Sequence, residues 1–316
     1  MKKVSIVIPT YNEEGNIKIL AEALLLQVSK LPQYSFEIIY VDDGSSDHSL
    51  SLVKQLTSEN KIFRYIKLSR NYGHQNAIRA GIDRATGQCV ITMDGDMQHP
   101  PAVIPDMLDK WEEGYDVVYT RRVDHVSTGF FKKLSSKWFY KIINVLSEVK
   151  MEQGTADFRL LDEKICNMIR NAKEVELFFR AFVKLAGNKQ YAIDYVADKR
   201  NDGKSKYTVS AMLKLALTGI TSFSVKPLHL ATYLGLFFAC SSVLFFPYIF
   251  YSFYAGHAER GWSSVLITIV FFGGLQLFVL GIIGIYIGKI FTQVKQQPFY
   301  RIEETNLYET DDTAKL

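Results

Sequence analysis

The chain has 316 residues, of which 48% are apolar and 22% charged, and 37 Lys and Arg against 33 Asp and Glu leave a net charge of +4. That length fits about two domains, or one larger domain with an appendage. A composition this apolar excludes a collagen-like or wholly disordered chain, and so mild a charge gives no argument for nucleic-acid binding. The cysteines Cys89, Cys166 and Cys240 lie far apart and offer neither a disulfide framework nor a CxxC zinc site. The N-terminal apolar run is about five residues, too short for a secretory signal.

In chain order, VSIVIP (4–9), FEIIYVD (36–42), FRYIKL (63–68), CVITMD (89–94) and DVVYT (116–120) are short β-branched runs. Amphipathic stretches near 14–30, 46–59, 74–86 and 101–113 separate them. This alternation predicts βαβ units, hence an α/β fold with a mostly parallel sheet and helices on both faces. The segment 129–146 places Lys133, Lys137 and Lys141 on one helix face and Phe131, Leu134, Trp138, Ile142 and Val145 on another. A basic amphipathic helix of this kind suits an anionic membrane surface, an ordinary surface helix on the sheet being the alternative. Segment 209–226 is also amphipathic and leads into an apolar region.

From Pro227 to Ala258 there is no Asp, Glu, Lys or Arg, and none again from Trp262 to Gly288. A bilayer core about 30 Å thick needs about 20 helical residues to cross. Two transmembrane helices are expected near 229–254 and 264–289, with a pair of buried core helices as the alternative. Gly274, Gly281, Gly284 and Gly288 put small residues on one face of the second, where another helix could approach. Lys204, Lys206, Lys214 and Lys226 precede the spans and Lys289, Lys295 and Arg301 follow them, while the loop between holds only Arg260 beside Glu259. The positive-inside rule then puts both termini in the cytoplasm of a multi-pass inner-membrane protein. The expected organisation is a catalytic domain over 1–208, a juxtamembrane helix over 209–227, a two-helix hairpin over 228–290 and a tail over 291–316. That tail is acidic past Arg301, and its end is expected to lack structure.

In sheets of this type ligands bind at the carboxyl ends of the strands. Polar clusters stand there: Thr10-Tyr11-Asn12-Glu13, Asp42-Asp43-Gly44-Ser45 and Asp94-Gly95-Asp96. The first turn lacks GxGxxG, and no GxxxxGK[ST] occurs, so neither a dinucleotide fingerprint nor a P-loop is available. Asp94 and Asp96, with Gln98 two residues on, can offer oxygens to one hard cation, Mg²⁺ or Mn²⁺, whose shell waters and phosphates would complete. In isolation the same DGD is an ordinary turn. His99 could support that motif from behind, and His74 is read as lining a helix start. Cys89 is read as core.

PTYNEE, VDDGSSD, DGDMQHP, GTADFRL and RNDGKSKY occur in the order and spacing of family 2 glycosyltransferases. The chain resembles the polyprenyl-phosphate branch of that family, which includes dolichol-phosphate mannose synthase and bactoprenol glucosyltransferase. The resemblance runs from about residue 3 to 290 and implies a GT-A fold, Rossmann-like, followed by two transmembrane helices. It implies that Pro9, Tyr11 and Glu13 cradle the nucleotide, that Val41 and Asp43 meet base and ribose, and that Asp94, Gly95, Asp96 and Gln98 hold the metal and diphosphate. It implies that Arg121 faces phosphate, that Arg200 and Lys206 belong to a loop closing over donor and acceptor, and that Asp157 lies close to the reacting centre. Many relatives have Gly or Ser before the Phe of this last motif, where this sequence reads Ala156-Asp157, so the duty of Asp157 stays open. Lys132 and Ser135 are candidate contacts to the acceptor phosphate. The processive QxxRW motif is absent, which favours a single transfer. The resemblance thus implies an inverting transfer of one sugar, glucose first, from a UDP-sugar to undecaprenyl phosphate by a membrane-bound homotetramer. Another sugar (N-acetylglucosamine, mannose or aminoarabinose) and a non-catalytic membrane scaffold or flippase partner are the alternatives.

Overall fold

The computed structural model describes residues 1–122, 155–174, 179–186, 189–195, 224–243, 261–295 and 297–307, with single residues at 247, 251 and 254. Arg200, Lys206, Lys132, Ser135 and the basic segment 129–146 lie outside the described residues, as does 209–223.

The described residues fall into two compact units. The first is built on one eight-stranded sheet. Its strands are β1 (Lys2–Thr10), β2 (Tyr34–Asp42), β3 (Phe63–Leu68), β4 (Cys89–Thr92), β5 (Val117–Arg122), β6 (Thr155–Asp162), β7 (Gln190–Tyr195) and β8 (Ile302–Thr305). Its helices are α1 (Glu14–Val28), α2 (Ser49–Glu59), α3 (His74–Arg84), α4 (Ile104–Glu112), α5 (Glu163–Asn171) and α6 (Phe179–Ala186). The sheet order is β7-β5-β6-β4-β1-β2-β3-β8. Strands β1 to β5 and β7 run one way, and β6 and β8 run the other. The sheet is therefore mixed, Rossmann-like in its first half.

Strand β1 is buried without a break from Val4 to Thr10, because helices cover both faces. On one face Val4, Ile6 and Ile8 pack with Ile17, Leu20 and Leu24 of α1, Val53 of α2 and Met107, Leu108 and Trp111 of α4. On the other, Val7, Ile39 and Val41 meet Ala77, Ile78 and Ala80 of α3, Ile165 and Ile169 of α5 and Phe179 and Val183 of α6. Helix α3 lies so close to β1 that a Cβ on Gly81 would come within 2.2 Å of Val7 Cγ1.

Two strands depart from the expected βαβ pattern. β6, the GTADFRL segment, inserts antiparallel between β4 and β5. The expectation of a structureless tail past Arg301 is corrected for residues 302–307: β8 pairs antiparallel with β3. Lys67 binds Glu303 and Lys54 binds Glu304 (both 2.6 Å). Asn306 Oδ1 accepts from the Tyr65 N–H (2.8 Å). Residues beyond 307 lie outside the described residues.

The second unit holds α7 (Lys226–Val243) and α8 (Trp262–Val294). Phe238 of α7 packs edge-on against Phe271 and Phe272 of α8, both at 5.5 Å, and the Tyr286 hydroxyl donates to Ser224 O (2.6 Å). Moving back along α7 thus moves forward along α8, so the two run antiparallel. Among the described residues one helical stretch, Phe271–Val294 within α8, is long and apolar enough to cross a membrane. It answers the second expected span. The first extends outside the described residues past Val243. Nothing lies within 4 Å of where a Cβ would sit on Gly274, Gly281, Gly284 or Gly288.

Candidate active site

The site forms where β1, β2 and β4 end and the antiparallel β6 begins. At the end of β1, Asn12 takes a left-handed backbone (φ 56°), which Asn tolerates better than most residues. Its N–H donates to Ser45 Oγ (3.0 Å) and its Oδ1 accepts from the Ser46 N–H (2.8 Å). The Glu13 N–H donates to Ser49 Oγ (2.9 Å), and Glu13 Oε2 accepts from Asn16 (2.7 Å). The PTYNE and DDGS turns are thereby laced into one wall, from which Tyr11 projects 43% exposed. Pro9 sits in the buried end of β1, paired in register with Val41.

Val41 and Asp43 do not project from that wall. The Val41 side chain is wholly buried in the core beneath α3. Asp43 is 3% exposed, and its two oxygens accept the backbone N–H groups of Tyr72 (2.7 Å) and Gly73 (2.9 Å) where α3 begins. Burial pushes its carboxyl above the usual range, against those two hydrogen bonds, which lower it. Gly44 follows at φ 75°, and a Cβ there would come within 2.7 Å of the Arg70 backbone. Only glycine lets these two loops approach so closely.

At the end of β4, the Asp94 N–H donates to His99 Nδ1 (3.0 Å). This places the His99 proton on Nε2, 3.7 Å from Asp94 Oδ2. His99 is buried and stacked on Phe158, with ring centroids 5.2 Å apart. Asp94 Oδ1 is shut off from solvent and accepts no hydrogen bond. A Cβ on Gly95 would meet Thr10 Cγ2 at 3.3 Å, so the turn lies directly on β1. Met97 is left-handed (φ 62°), a cost for an unbranched non-glycine residue that is tolerated where the surroundings enforce it. Gln98 donates from both backbone and side chain to Asp96, and its Oε1 accepts from Arg122 Nη1 (3.0 Å).

From β6, Asp157 enters the site 6% exposed. Its Oδ1 lies 3.6 Å from Arg159 Nη2, two residues along the same strand face. The Thr92 hydroxyl donates to its carbonyl (2.6 Å). His74 bridges the groups: its Nε2 is 3.3 Å from Asp94 Oδ1 and 3.7 Å from Asp157 Oδ2.

The structure therefore brings together Asp94, Gly95, Asp96, Gln98 and Asp157, with Tyr11 and Glu13 on the adjoining wall. It sets Arg121 differently from the expectation. Its guanidinium grips Asp194 of β7 with two hydrogen bonds (2.6 and 2.9 Å), and the neighbouring Arg122 reaches the Asp96–Gln98 turn. His74, Arg159 and Arg122 are neighbours of the site that the sequence patterns did not place there. Arg122 sits beside the expected arginine, and strand alternation alone could have raised it.

Among the described residues no group of three or more His, Cys, Asp and Glu is arranged to hold a metal ion. The expected set is two carboxylates and an amide. Asp94 and Asp96 on alternate positions, one with an oxygen that is buried and accepts no hydrogen bond, suit a hard cation that keeps waters and takes phosphate oxygens. Gln98 Oε1 accepts from Arg122 and keeps a second lone pair with which it could join them.

Residues 5–170 match the model of glycosyl transferase family 2. An uncharacterised glycosyltransferase of Bacillus subtilis is 38% identical over 95% of this chain and 93% of its own length. A bactoprenol glucosyl transferase of Shigella phage SfII is 36% identical over 96% of this chain and 98% of its own. A solved mannosyltransferase of Pyrobaculum calidifontis in complex with GDP-Man and Mn²⁺ shares the fold, with TM-score 0.50 and 14% identity over 70% of this chain and 63% of that one. Strand-end carboxylates on a GT-A sheet and near full-length similarity to such enzymes agree: the chain is a glycosyltransferase and belongs to glycosyl transferase family 2.

Proposed function

We propose that this enzyme moves one sugar, glucose before others, from a UDP-sugar to a polyprenyl phosphate such as undecaprenyl phosphate, with inversion, on the cytoplasmic face of a membrane. The observation that carries the reading is the Asp94-Gly95-Asp96 turn, facing Asp157 across His74, with an oxygen of Asp94 that is buried and accepts no hydrogen bond. The near full-length similarity to bactoprenol glucosyl transferases supports the acceptor and the sugar.

The diphosphate leaving group develops charge as the glycosidic bond breaks. A divalent ion held by Asp94 and Asp96, Mg²⁺ or Mn²⁺, would neutralise it, and electrostatic stabilisation of this kind usually lowers the barrier more than any other single effect. Tyr11 and Glu13 line the wall on which the nucleotide would lie. Arg122 is placed to fix Gln98 and thereby Asp96. Arg200 and Lys206 are assigned, by the resemblance of RNDGKSK alone, to a loop closing on the two substrates, and Lys132 and Ser135 to the acceptor phosphate. That acceptor is largely anionic near neutral pH, because a second phosphate pKa lies near 6. It needs little general-base help, and Asp157 would chiefly orient it.

The membrane assignment rests on α8 and on chain topology. β8 follows α8 in sequence yet pairs with β3, so the chain before and after the apolar region lies on one side of any membrane. That favours an even number of crossings, the charge-free run from Pro227 to Ala258 supplying the second. A homotetramer is the assembly suggested by the resemblance.

The test uses purified full-length protein in detergent with undecaprenyl phosphate, Mg²⁺ or Mn²⁺, and a panel of UDP- and GDP-sugars. Labelled sugar should enter the lipid phase from one UDP-sugar, and Asp96→Ala should cut the rate at least about a hundredfold, as losing a main electrostatic contributor does. Transfer from a GDP-sugar alone would overturn the donor. No transfer from any donor would overturn the acceptor.

A further inference from the structure

The tripeptide Tyr72-Gly73-His74, where β3 crosses into α3, addresses one carboxylate at each of three strand ends. The Tyr72 and Gly73 N–H groups hold Asp43 of the β2 end. His74 Nε2 stands between Asp94 of the β4 end and Asp157 of β6, at 3.3 and 3.7 Å, within ion-pair distance of both. We infer that His74 is a positioning residue, whose Nε2 stands between the donor-side carboxylate Asp94 and Asp157 and draws onto both when substrate binds. The inference rests on the reading of Asp94 as a donor-side group.

Three features make the tie effective. The His74 backbone is fixed from below and from the side: α3 sits hard on β1 at Gly81, and Gln75 Oε1 accepts the Phe179 N–H (3.1 Å) of α6. A side chain on such a mount holds its partners' geometry with little ordering of its own still to do. The two distances are those of a near contact, and hydrogen bonds of active sites are often long before substrate binds and tighten afterwards. Lastly, the carboxylates differ in freedom. Asp157 is also flanked by Arg159 at 3.6 Å, whereas the buried Asp94 Oδ1 faces His74 Nε2 at 3.3 Å, so His74 is placed to carry a change at Asp94 to Asp157. His74 itself is 42% exposed at its side chain, so the fold does not depend on burying it.

The experiment compares wild type, His74→Ala and His74→Gln, all full-length in detergent. Gln keeps an N–H donor at similar reach. The first readout is affinity for UDP with Mn²⁺, taken from the rise in melting temperature with ligand, and it needs no turnover. The second is kcat and both KM values. His74→Ala should keep the melting temperature of the ligand-free protein and lose about ten- to a hundredfold in affinity and kcat, the range for partners that orient metal ligands. His74→Gln should recover most of that loss. An Ala variant with wild-type affinity and kcat would overturn the inference. So would a Gln variant no better than Ala, since the N–H would then not be what matters. A wild type that binds UDP with Mn²⁺ but glycosylates no polyprenyl phosphate would sink the acceptor reading, and the affinity comparison would still decide on His74.

Discussion

Asp157 shows how residue-scale geometry limits chemical roles. It is nearly buried, flanked by Arg159 and His74, and set on a strand rather than a loop. A carboxylate so placed is well suited to orient an acceptor and to take the residual proton of one that is still protonated. Asp157→Asn should therefore be most damaging at low pH, where the acceptor phosphate still carries a proton. The deficit should shrink as pH rises from about 6 to 8, past the second phosphate pKa. Initial rates of wild type and variant across that range check this, and a deficit equally deep at every pH would show that Asp157 takes no part in handling the acceptor proton. Asp43, Asp94 and Asp96 were legible in the sequence because each motif is local, a strand end followed by a turn, whereas Asp157, inside β6, was raised by the family resemblance alone. The site roles of His74, Arg122 and Arg159 were not legible. Which carboxylate His74 meets depends on β6 lying beside β4, and which arginine of the Arg121-Arg122 pair faces the turn depends on the register of β5.

At the scale of elements, β1 to β5 announced themselves as β-branched runs, since strands covered on both faces must be continuously apolar. β6 reads TADFRLLD, with an acid and a base that the sheet buries together, and no periodicity marks such a pair as a strand. β8 is four residues, Ile302 to Thr305, with Glu303 and Glu304 exposed, and its strand character comes from β3 rather than from its own sequence. It is tied down by more than its ladder. The Tyr300 hydroxyl donates to Asp83 Oδ2 (2.7 Å), and the Phe299 ring lies 3.6 Å from the buried Arg79 guanidinium. Arg79 in turn caps the C-terminal end of α5 through the carbonyls of Ala172 and Glu174. Burial raises the Asp83 carboxyl above its ordinary 3.8, and the Tyr300 hydroxyl works against that rise. An acid whose folded pKa is raised loses stability as pH climbs through the window from the ordinary to the raised value. Tyr300→Phe widens that window. It should destabilise the protein by about 1–3 kcal/mol at neutral pH, the usual range for a buried acceptor losing its donor. The penalty should fade as pH drops toward the ordinary carboxyl value, where neutral Asp83 no longer needs it. Melting temperatures of the two proteins between about pH 4 and 8 test this, and a gap independent of pH would show that Tyr300 acts by packing alone.

For the whole molecule, the pairing of β8 with β3 constrains the path of the chain through a membrane. The sheet contains strands from before and after the apolar region, and a single crossing by α8 would leave β8 on the wrong side. The charge-free runs made two spans the expectation from composition, because burying a charge in hydrocarbon is costly enough to exclude it from some 20 consecutive residues, and among the described residues one stretch, Phe271–Val294, is long and apolar enough to cross. Composition could not show that the chain comes back to the sheet, since that return is written in four half-exposed residues. α7 and α8 running antiparallel agrees with a hairpin. The consequence is testable with single cysteines, introduced after Cys240→Ser, and a membrane-impermeant maleimide, the native Cys89 and Cys166 being buried and poorly reactive. Lys30→Cys and Gln297→Cys flank the apolar region at exposed positions, and both should stay unlabelled in intact cells and react once the membrane is opened. Glu259→Cys, between the two charge-free runs, should react from outside without permeabilisation. Labelling of Gln297→Cys but not Lys30→Cys in intact cells would mean one crossing, and β8 could then not pair with β3 in the folded enzyme. Protection of all three until permeabilisation would mean no crossing at all, with α8 lying on the membrane or against another chain. Of the patterns in which α8 crosses, the two-crossing one lets the anchor and the last strand of the catalytic sheet exist in the same molecule.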